Sequence, residues 1–147
     1  SIAFTDGSDA DPGFHVCLTA LLYLLEVDPA ALGHPVSPLQ LPGGAIFFRG
    51  PHGLPQGPLE ARFGRDLTGF QAAAARLGGI KGRDGDGAYS LEVYPGLRVG
   101  VILWLADEEL PAQVSFTVPA HLERCWHLDA VWALLHLAAR ELLAHAP

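Results

Sequence analysis

Apolar and polar side chains alternate most regularly in the middle of the chain, from residue 88 to residue 94. This period of two is typical of a half-buried β-strand. Pro95 and Gly96 then predict a tight turn, since proline fixes φ at the first corner and glycine tolerates a positive φ at the second. Residues 97–105 form the return strand and are apolar on both faces. We therefore expect this strand at the centre of a sheet, covered on both sides.

A first helix is predicted near residues 12–27. Asp11 is its expected N-cap and Pro12 its first helical residue. The helix should end near Val27, because Asp28 precedes a proline and is pushed out of the α region. Its expected buried stripe consists of Phe14, Cys17, Leu18, Leu21 and Leu25. The residues expected to face water are His15, Thr19 and Glu26.

Two further helices are predicted near residues 66–77 and 129–145, each from apolar side chains at helical spacing. Asp66 is the expected N-cap of the first of them. Residues 113–118 alternate again and predict a third strand. Between the first two helices lies a long irregular segment, residues 30–58, in which residues 45–48 are a short strand candidate. The pattern predicts one α+β domain over residues 11–147 after a flexible tail, 1–10. In it, a small antiparallel sheet of the hairpin and third strand is packed by three main helices.

Composition narrows the functional classes. The chain has 147 residues, half of them hydrophobic, and a net charge of −7 with nine Lys and Arg residues in all. This acidic balance predicts no nucleic-acid partner, which would require a basic face. The longest apolar run, Val16 to Leu25, has ten residues, whereas a membrane span needs about twenty. We therefore expect no membrane insertion.

Two cysteines are too few for a disulfide framework. Cys17 and Cys125 both lie in apolar surroundings and are predicted to be buried free thiols in a reducing, cytoplasmic compartment. His121 and Cys125 are four residues apart and could share a helical face, and Cys17 would have to join them across the core. A zinc site needs three or four such ligands. These three are weak candidates only, and no metal or other cofactor is predicted.

The strongest candidate for a binding site follows the central strand. Asp107, Glu108 and Glu109 form the densest acidic point in the chain, with Trp104 just before them. Crowded carboxylates raise one another's pKa and can serve as acid or base, or they can bind a hard cation. The alternatives are a solvated acidic turn and a Trp104 that belongs to the core. We expect the turn at Pro42, Gly43 and Gly44 to form a second wall, because glycines let backbone approach a ligand closely.

Four segments, taken in order, resemble domain-of-unknown-function family 3786. They are Leu41-Pro-Gly-Gly44, Arg62-Phe-Gly-Arg-Asp66, Leu77-Gly-Gly79 and Leu103-Trp-Leu-Ala-Asp-Glu-Glu-Leu-Pro111. The resemblance covers roughly residues 36–143. The chain departs from the family pattern at Leu110, where phenylalanine is expected, and at Thr117, where aspartate is expected. The loss of an acidic group at residue 117 weakens any catalytic role inferred from relatives.

The resemblance carries no established activity. Some relatives have a four-cysteine iron–sulfur segment of the type found beside corrinoid proteins, and this chain lacks the cluster spacing. Three functions follow as expectations. The favoured one is a non-enzymatic ligand-binding or accessory module acting with a larger, redox or corrinoid-related partner. The second is a small enzyme using the 107–109 carboxylates for acid–base or divalent-metal chemistry. The third is a structural subunit that forms an oligomer through its terminal helix.

Overall fold

The computed structural model describes residues 13–147. The expected tail at 1–10 and the expected cap and first turn at Asp11 and Pro12 lie outside the described residues. The helices are α1 (Phe14–Glu26), α2 (Gly44–Phe47), α3 (Gln56–Phe63), α4 (Leu67–Arg76) and α5 (Leu128–Ala144). The strands are β1 (Pro35–Val36), β2 (Ile80–Lys81), β3 (Gly87–Tyr94), β4 (Leu97–Trp104) and β5 (Gln113–Pro119).

All strand pairs within residues 13–147 are antiparallel, and the sheet order is β1-β5-β4-β3-β2. The α+β class, the tight hairpin and the central place of β4 are thus confirmed. Gly96 has a φ of 74°, as the turn requires. The predicted sheet was too small, because the two-residue strands β1 and β2 are too short to show a period. Five helices are described in place of three main ones.

One face of the sheet carries the hydrophobic core. Along β4, Leu97, Val99, Val101 and Leu103 are all fully buried, and the same face of β5 contributes Val114, Phe116 and Val118. Helices α3 and α5 supply Leu59, Phe63, Leu134 and Leu142, each also fully buried. This agrees with the expectation that the helix stripes need an apolar sheet face to cover.

The opposite face of β4 is not covered in the way the sequence predicts. Arg98, Gly100 and Ile102 are half-buried, and Trp104 keeps 40% of its surface exposed. The expectation of a strand buried on both sides is therefore wrong, and so is a core role for Trp104. The physical reason is that the packed helices contact the other face, where the fully buried side chains point.

Helix α1 also turns a different face inward from the one predicted. Val16 and Thr19 are buried, whereas Phe14, Leu21 and Leu25 are more than half exposed. The buried Thr19 hydroxyl has a hydrogen-bond partner, the Tyr94 hydroxyl at 2.7 Å, which compensates for its loss of water. Apolar side chains run almost all the way round this helix, so their period alone could not fix its orientation.

Two smaller predictions about local structure and burial are wrong as well, and a third is confirmed. Residues 45–48, the strand candidate, lie in and just after helix α2. Cys17 is exposed and Cys125 half-buried, so the two free thiols are not both in the core. Asp66 caps α4 as expected, since its carboxylate accepts a 2.8 Å hydrogen bond from the Gly69 N–H. In residues 13–147 no helix is both long and apolar enough to traverse a bilayer.

Candidate functional site

The acidic residues after β4 form an ordered exposed turn. The Asp107 carboxylate accepts hydrogen bonds from the backbone N–H groups of Leu110, at 2.7 Å, and Glu109, at 2.8 Å. The Asp107 N–H in turn donates to the Leu110 carbonyl oxygen at 3.0 Å. The Ala106 N–H ties the start of this turn to the Gly64 carbonyl oxygen at 2.8 Å. Asp107 therefore closes the turn on itself.

These hydrogen bonds fix the charge state of Asp107. The backbone donors at Leu110 and then Glu109 lower the pKa of the Asp107 carboxyl below its usual range. For Asp107, the expected increase in pKa from crowded carboxylates is thus wrong. A carboxylate held ionised by backbone donors is poorly suited to act as a general acid near neutral pH.

The Pro42–Gly44 turn and Trp104 have other neighbours. A Cβ atom at Gly43 would contact the Leu128 side chain, so the Pro42–Gly44 turn lies close to the start of α5. A Cβ atom at Gly44 would collide with the Pro38 carbonyl oxygen. The acidic turn packs instead on the loop at Gly64. Trp104 pairs with Gln113 at the end of β4. Within residues 13–147, these contacts do not bring the acidic turn and the Pro42–Gly44 turn together.

The weak metal candidates occupy different surroundings. Cys17 is exposed on α1. His121 is also exposed and has a φ of 71°, and Cys125, four residues later, is half-buried. Across residues 13–147, no three side chains from His, Cys, Asp or Glu come together as a group that could hold a metal ion.

A cleft that the sequence analysis missed lies over the uncovered face of the sheet. Its volume is about 520 Å³. Its floor is made by residues of the three central strands, namely Ala88, Ser90, Arg98, Gly100, Ile102 and Thr117. A Cβ atom at Gly100 would collide with the Thr117 hydroxyl, so glycine leaves room for the present position of that side chain. Small residues at alternate positions of otherwise apolar strands were the signal in the sequence for an open face.

Two segments at opposite edges of the sheet wall the cleft. On one side the chain from Pro29 to Pro35 is held by a 2.8 Å hydrogen bond from the Gly33 N–H to the Ala120 carbonyl oxygen. On the other side the loop at Gly82–Asp84 precedes Asp86, whose carboxylate accepts a 2.7 Å hydrogen bond from the Leu105 N–H. Both walls are therefore attached to the sheet that forms the floor.

Arg98 supplies a positive charge at the cleft. Its Nε and Nη2 atoms donate 2.8 Å hydrogen bonds to the hydroxyl and the backbone carbonyl oxygen of Ser90. Its Nη1 atom lies 3.8 Å from a carboxylate oxygen of Glu92, its cross-strand neighbour. A guanidinium has five N–H donors, so these contacts leave donors for a ligand.

A second cluster that the sequence did not reveal surrounds Trp132 on α5. The indole ring centre lies 4.1 Å from that of His136, 5.5 Å from that of His15 and 6.1 Å from that of His52. The pKa of His136 is lowered, chiefly by burial. A backbone hydrogen bond at Gly53 raises this pKa in part, and electrostatic repulsion from His15 lowers it further. His136 is half-buried, and its Nε2 atom has no hydrogen-bond partner within the described residues.

Comparison with known families extends the resemblance noted from the four motifs. Neither the curated proteins nor the solved structures yield a match to this chain. A family model described as "Domain of unknown function (DUF3786)" matches residues 1–141, which is nearly the whole chain. The chain therefore belongs to the DUF3786 family.

Proposed function

We propose that this domain is a non-enzymatic binding module whose site is the cleft on the uncovered face of the sheet. The observation that carries the proposal is the cleft itself, about 520 Å³ over small and polar side chains of β3, β4 and β5. Small-molecule sites in proteins have volumes of about 300 to 1,000 Å³. The opposite face of the same strands is filled by the core, so this cleft is a separate surface.

The lining favours a small molecule with an apolar body and one anionic group. Ile102, Pro29 and Pro119 provide apolar contact surface. Arg98 provides the remaining guanidinium donors, and a guanidinium binds carboxylate or phosphate oxygens in a planar geometry. Thr117 adds a hydroxyl group that can donate or accept.

Binding is favoured over catalysis by the environment of the hydroxyl groups. A serine nucleophile needs a neighbouring base that takes its proton. The Ser90 hydroxyl instead accepts a hydrogen bond from Arg98, which stays protonated at all ordinary pH values. Among the described residues that line the cleft there is no histidine, cysteine or glutamate, and the one carboxylate is that of Asp84, in the wall loop.

The enzymatic alternative would place acid–base chemistry at the 107–109 turn. It has less support, because Asp107 is an ionised turn-closing residue and its neighbours face solvent. The proposed action with a larger partner, and a redox or corrinoid-related role for that partner, rest on the family resemblance. They are separate from the cleft and stay predictions.

Native mass spectrometry of the purified full chain tests the proposal. We expect a retained small molecule, or, for an empty chain, saturable binding of anilinonaphthalene sulfonate, which combines apolar rings with one sulfonate. Thr117→Glu should abolish binding, since it places bulk and negative charge on the cleft floor. Gln113→Glu is the matched control, because Gln113 lies on the same face of β5 but is exposed and outside the cleft lining.

Ligand binding is compared only between variants that thermal melting shows to be folded. Ligand loss in Thr117→Glu with retention in Gln113→Glu supports the cleft as the site. Undiminished binding by a folded Thr117→Glu protein would refute it. Loss of binding in Glu108→Gln/Glu109→Gln, with the cleft variant unaffected, would move the site to the acidic turn.

A further inference from the structure

We infer that the cleft takes a zwitterionic ligand of dipeptide length, with its carboxylate at Arg98 and its ammonium group at Asp84. The inference rests on the proposed function, since it names the class of ligand for the same cleft. Of the described residues that line the cleft, Arg98 and Asp84 are the charged ones, and their charges are opposite. The lining thus offers a ligand one positive and one negative side chain.

These two side chains do not neutralise one another. Within residues 13–147, Arg98 has an ion pair with Glu92 alone, and Asp84 has none. The Arg98–Glu92 distance of 3.8 Å is too long for a hydrogen bond. The same Glu92 oxygen accepts a 3.0 Å hydrogen bond from the Gly96 N–H. Arg98 therefore keeps donors for a ligand, and the exposed Asp84 keeps its carboxylate oxygens.

The guanidinium of Arg98 is held near the middle of the cleft floor. Its two 2.8 Å hydrogen bonds both go to Ser90, one to the hydroxyl and one to the backbone carbonyl oxygen. Ser90 lies opposite Gly100 in the β3–β4 pairing. The positive charge is therefore fixed beside Ser90.

The loop that carries Asp84 is fixed beside the end of the floor at Ala88. At one end of this loop the Gly82 N–H donates a 2.8 Å hydrogen bond to the Ala88 carbonyl oxygen. At its other end the Asp86 N–H donates a 2.9 Å hydrogen bond to the Leu103 carbonyl oxygen. Because both ends are attached to the sheet, the negative charge has a defined place relative to the positive one.

The separation of the two charges sets the length of the ligand. Ser90 and Ala88 are two residues apart on β3, which corresponds to about 7 Å along the strand. Two residues of extended peptide also span about 7 Å. A dipeptide lying along the floor can therefore contact Arg98 with its carboxylate and Asp84 with its ammonium group. The two charged groups of a single amino acid are joined through one carbon atom and are too close together.

The remaining lining and the charge of the chain agree with such a ligand. The Thr117 hydroxyl can donate to or accept from a peptide group, and Ile102 and Pro119 offer apolar surface to its side chains. The chain carries a net charge of −7, so its overall field repels a simple anion. A zwitterion has no net charge and avoids this repulsion.

Isothermal titration calorimetry of the full chain tests the inference with three matched probes. They are leucyl-leucine, N-acetyl-leucyl-leucine, which lacks the ammonium group, and leucyl-leucinamide, which lacks the carboxylate. Leucyl-leucine should bind about tenfold more tightly than either derivative, because each derivative loses one charge-assisted hydrogen bond.

Variants then assign the ammonium group to Asp84. In Asp84→Asn the affinity for leucyl-leucine should fall to that for N-acetyl-leucyl-leucine. Asp129→Asn is the matched control, because Asp129 is an exposed aspartate outside the cleft lining, and it should keep the wild-type difference. Thr117→Glu should abolish binding of leucyl-leucine. Thermal melting verifies that each variant is folded.

Equal affinity of the wild-type chain for leucyl-leucine and its acetylated derivative would overturn the inference. So would a folded Asp84→Asn protein that keeps the difference, or a folded Thr117→Glu protein that still binds leucyl-leucine. A wild-type chain that binds anilinonaphthalene sulfonate but not leucyl-leucine would overturn this inference and leave the proposed function standing. A chain that binds neither and retains no small molecule would refute both.

Discussion

The hydroxyl groups of Thr19 and Tyr94 lie 2.7 Å apart, although 75 residues separate them in the chain. Tyr94 reaches α1 because the β3–β4 register shifts between Glu92 and Tyr94, which places Tyr94 opposite Leu97 on the core side of the sheet. The Tyr94 ring also stacks on Tyr23, with ring centres 4.9 Å apart. Burial raises the pKa of the Tyr94 hydroxyl, and its hydrogen bond to Thr19 opposes that increase. This pair therefore orients α1.

Replacing Thr19 with valine should lower the free energy of unfolding by about 1 to 2 kcal/mol at nearly constant volume. It removes two partly buried hydrogen bonds of the Thr19 hydroxyl, one to the His15 carbonyl oxygen and one to the Tyr94 hydroxyl. Urea denaturation measures the loss. Thr68→Val is the control, since Thr68 is exposed on α4. In a double-mutant cycle with Tyr94→Phe, the two losses should be less than additive. Full additivity would show that the two hydroxyl groups do not interact in solution.

Substitutions at neighbouring positions of β4 should differ sharply in cost. Leu103 is fully buried, so Leu103→Ala should lower the free energy of unfolding by about 2 to 5 kcal/mol. Ile102 is half-buried on the cleft side, and Ile102→Ala should cost only about 1 kcal/mol. Chemical denaturation of both variants gives the comparison. Equal losses would mean that the cleft face is covered in solution.

Replacing Glu108 and Glu109 together with glutamine should leave the melting temperature unchanged, since both residues are exposed. Asp107→Ala should lower it, because two backbone N–H groups lose their acceptor.

The lowered pKa of Asp107 adds a pH dependence to the stability of the protein. Its stabilising effect is present above the usual carboxyl pKa of about 3.9 and is lost as pH falls below it. Asp107→Asn should reduce this acid sensitivity, which melting curves at several pH values would measure.

His136 should make the protein less stable in mild acid. Its pKa is lower in the folded chain than in the unfolded chain, so unfolded molecules take up protons first. Stability should be greatest above the unfolded pKa of about 6.5 and fall as pH decreases from there. The titratable groups around it are His15, His52 and, 4.0 Å from His52, Asp129.

Urea denaturation between about pH 8 and about pH 5 tests this dependence. His136→Gln should flatten it, whereas His34→Gln, at an exposed residue, should not. If both variants behave like wild type, the acid sensitivity comes from another group.

Regular alternation and strong caps made the central architecture predictable. The hairpin turn at Gly96 and the cap at Asp66 depend on local chemistry, which a sequence displays directly. The inward face of α1 depends on the distant Tyr94 hydroxyl, and no local pattern could reveal it. A threonine in an otherwise apolar helix is usually assigned to the solvent side, but the Thr19 hydroxyl has a partly buried partner.

The candidate site was harder to predict than the fold, because the sequence draws attention to charged residues. Asp107 drew attention as one of three consecutive acidic residues, yet its carboxylate serves the turn. The cleft instead depends on small residues, such as Gly100 beneath Thr117. It also depends on the segment near Gly33, which is distant in sequence from the strand that it contacts. Such a space exists only once the strands are paired.

The wall at Pro29–Pro35 has a consequence for the order in which the molecule assembles. Strands β3 and β4 are joined by a two-residue turn and can pair early, since closing a short loop costs little entropy. Strand β1 contributes only Pro35 and Val36, paired with Pro119 and Val118 near the other end of the chain. We expect it to join late and, in the native protein, to detach first. Such transient detachment would admit a ligand while the hairpin and its core remain intact.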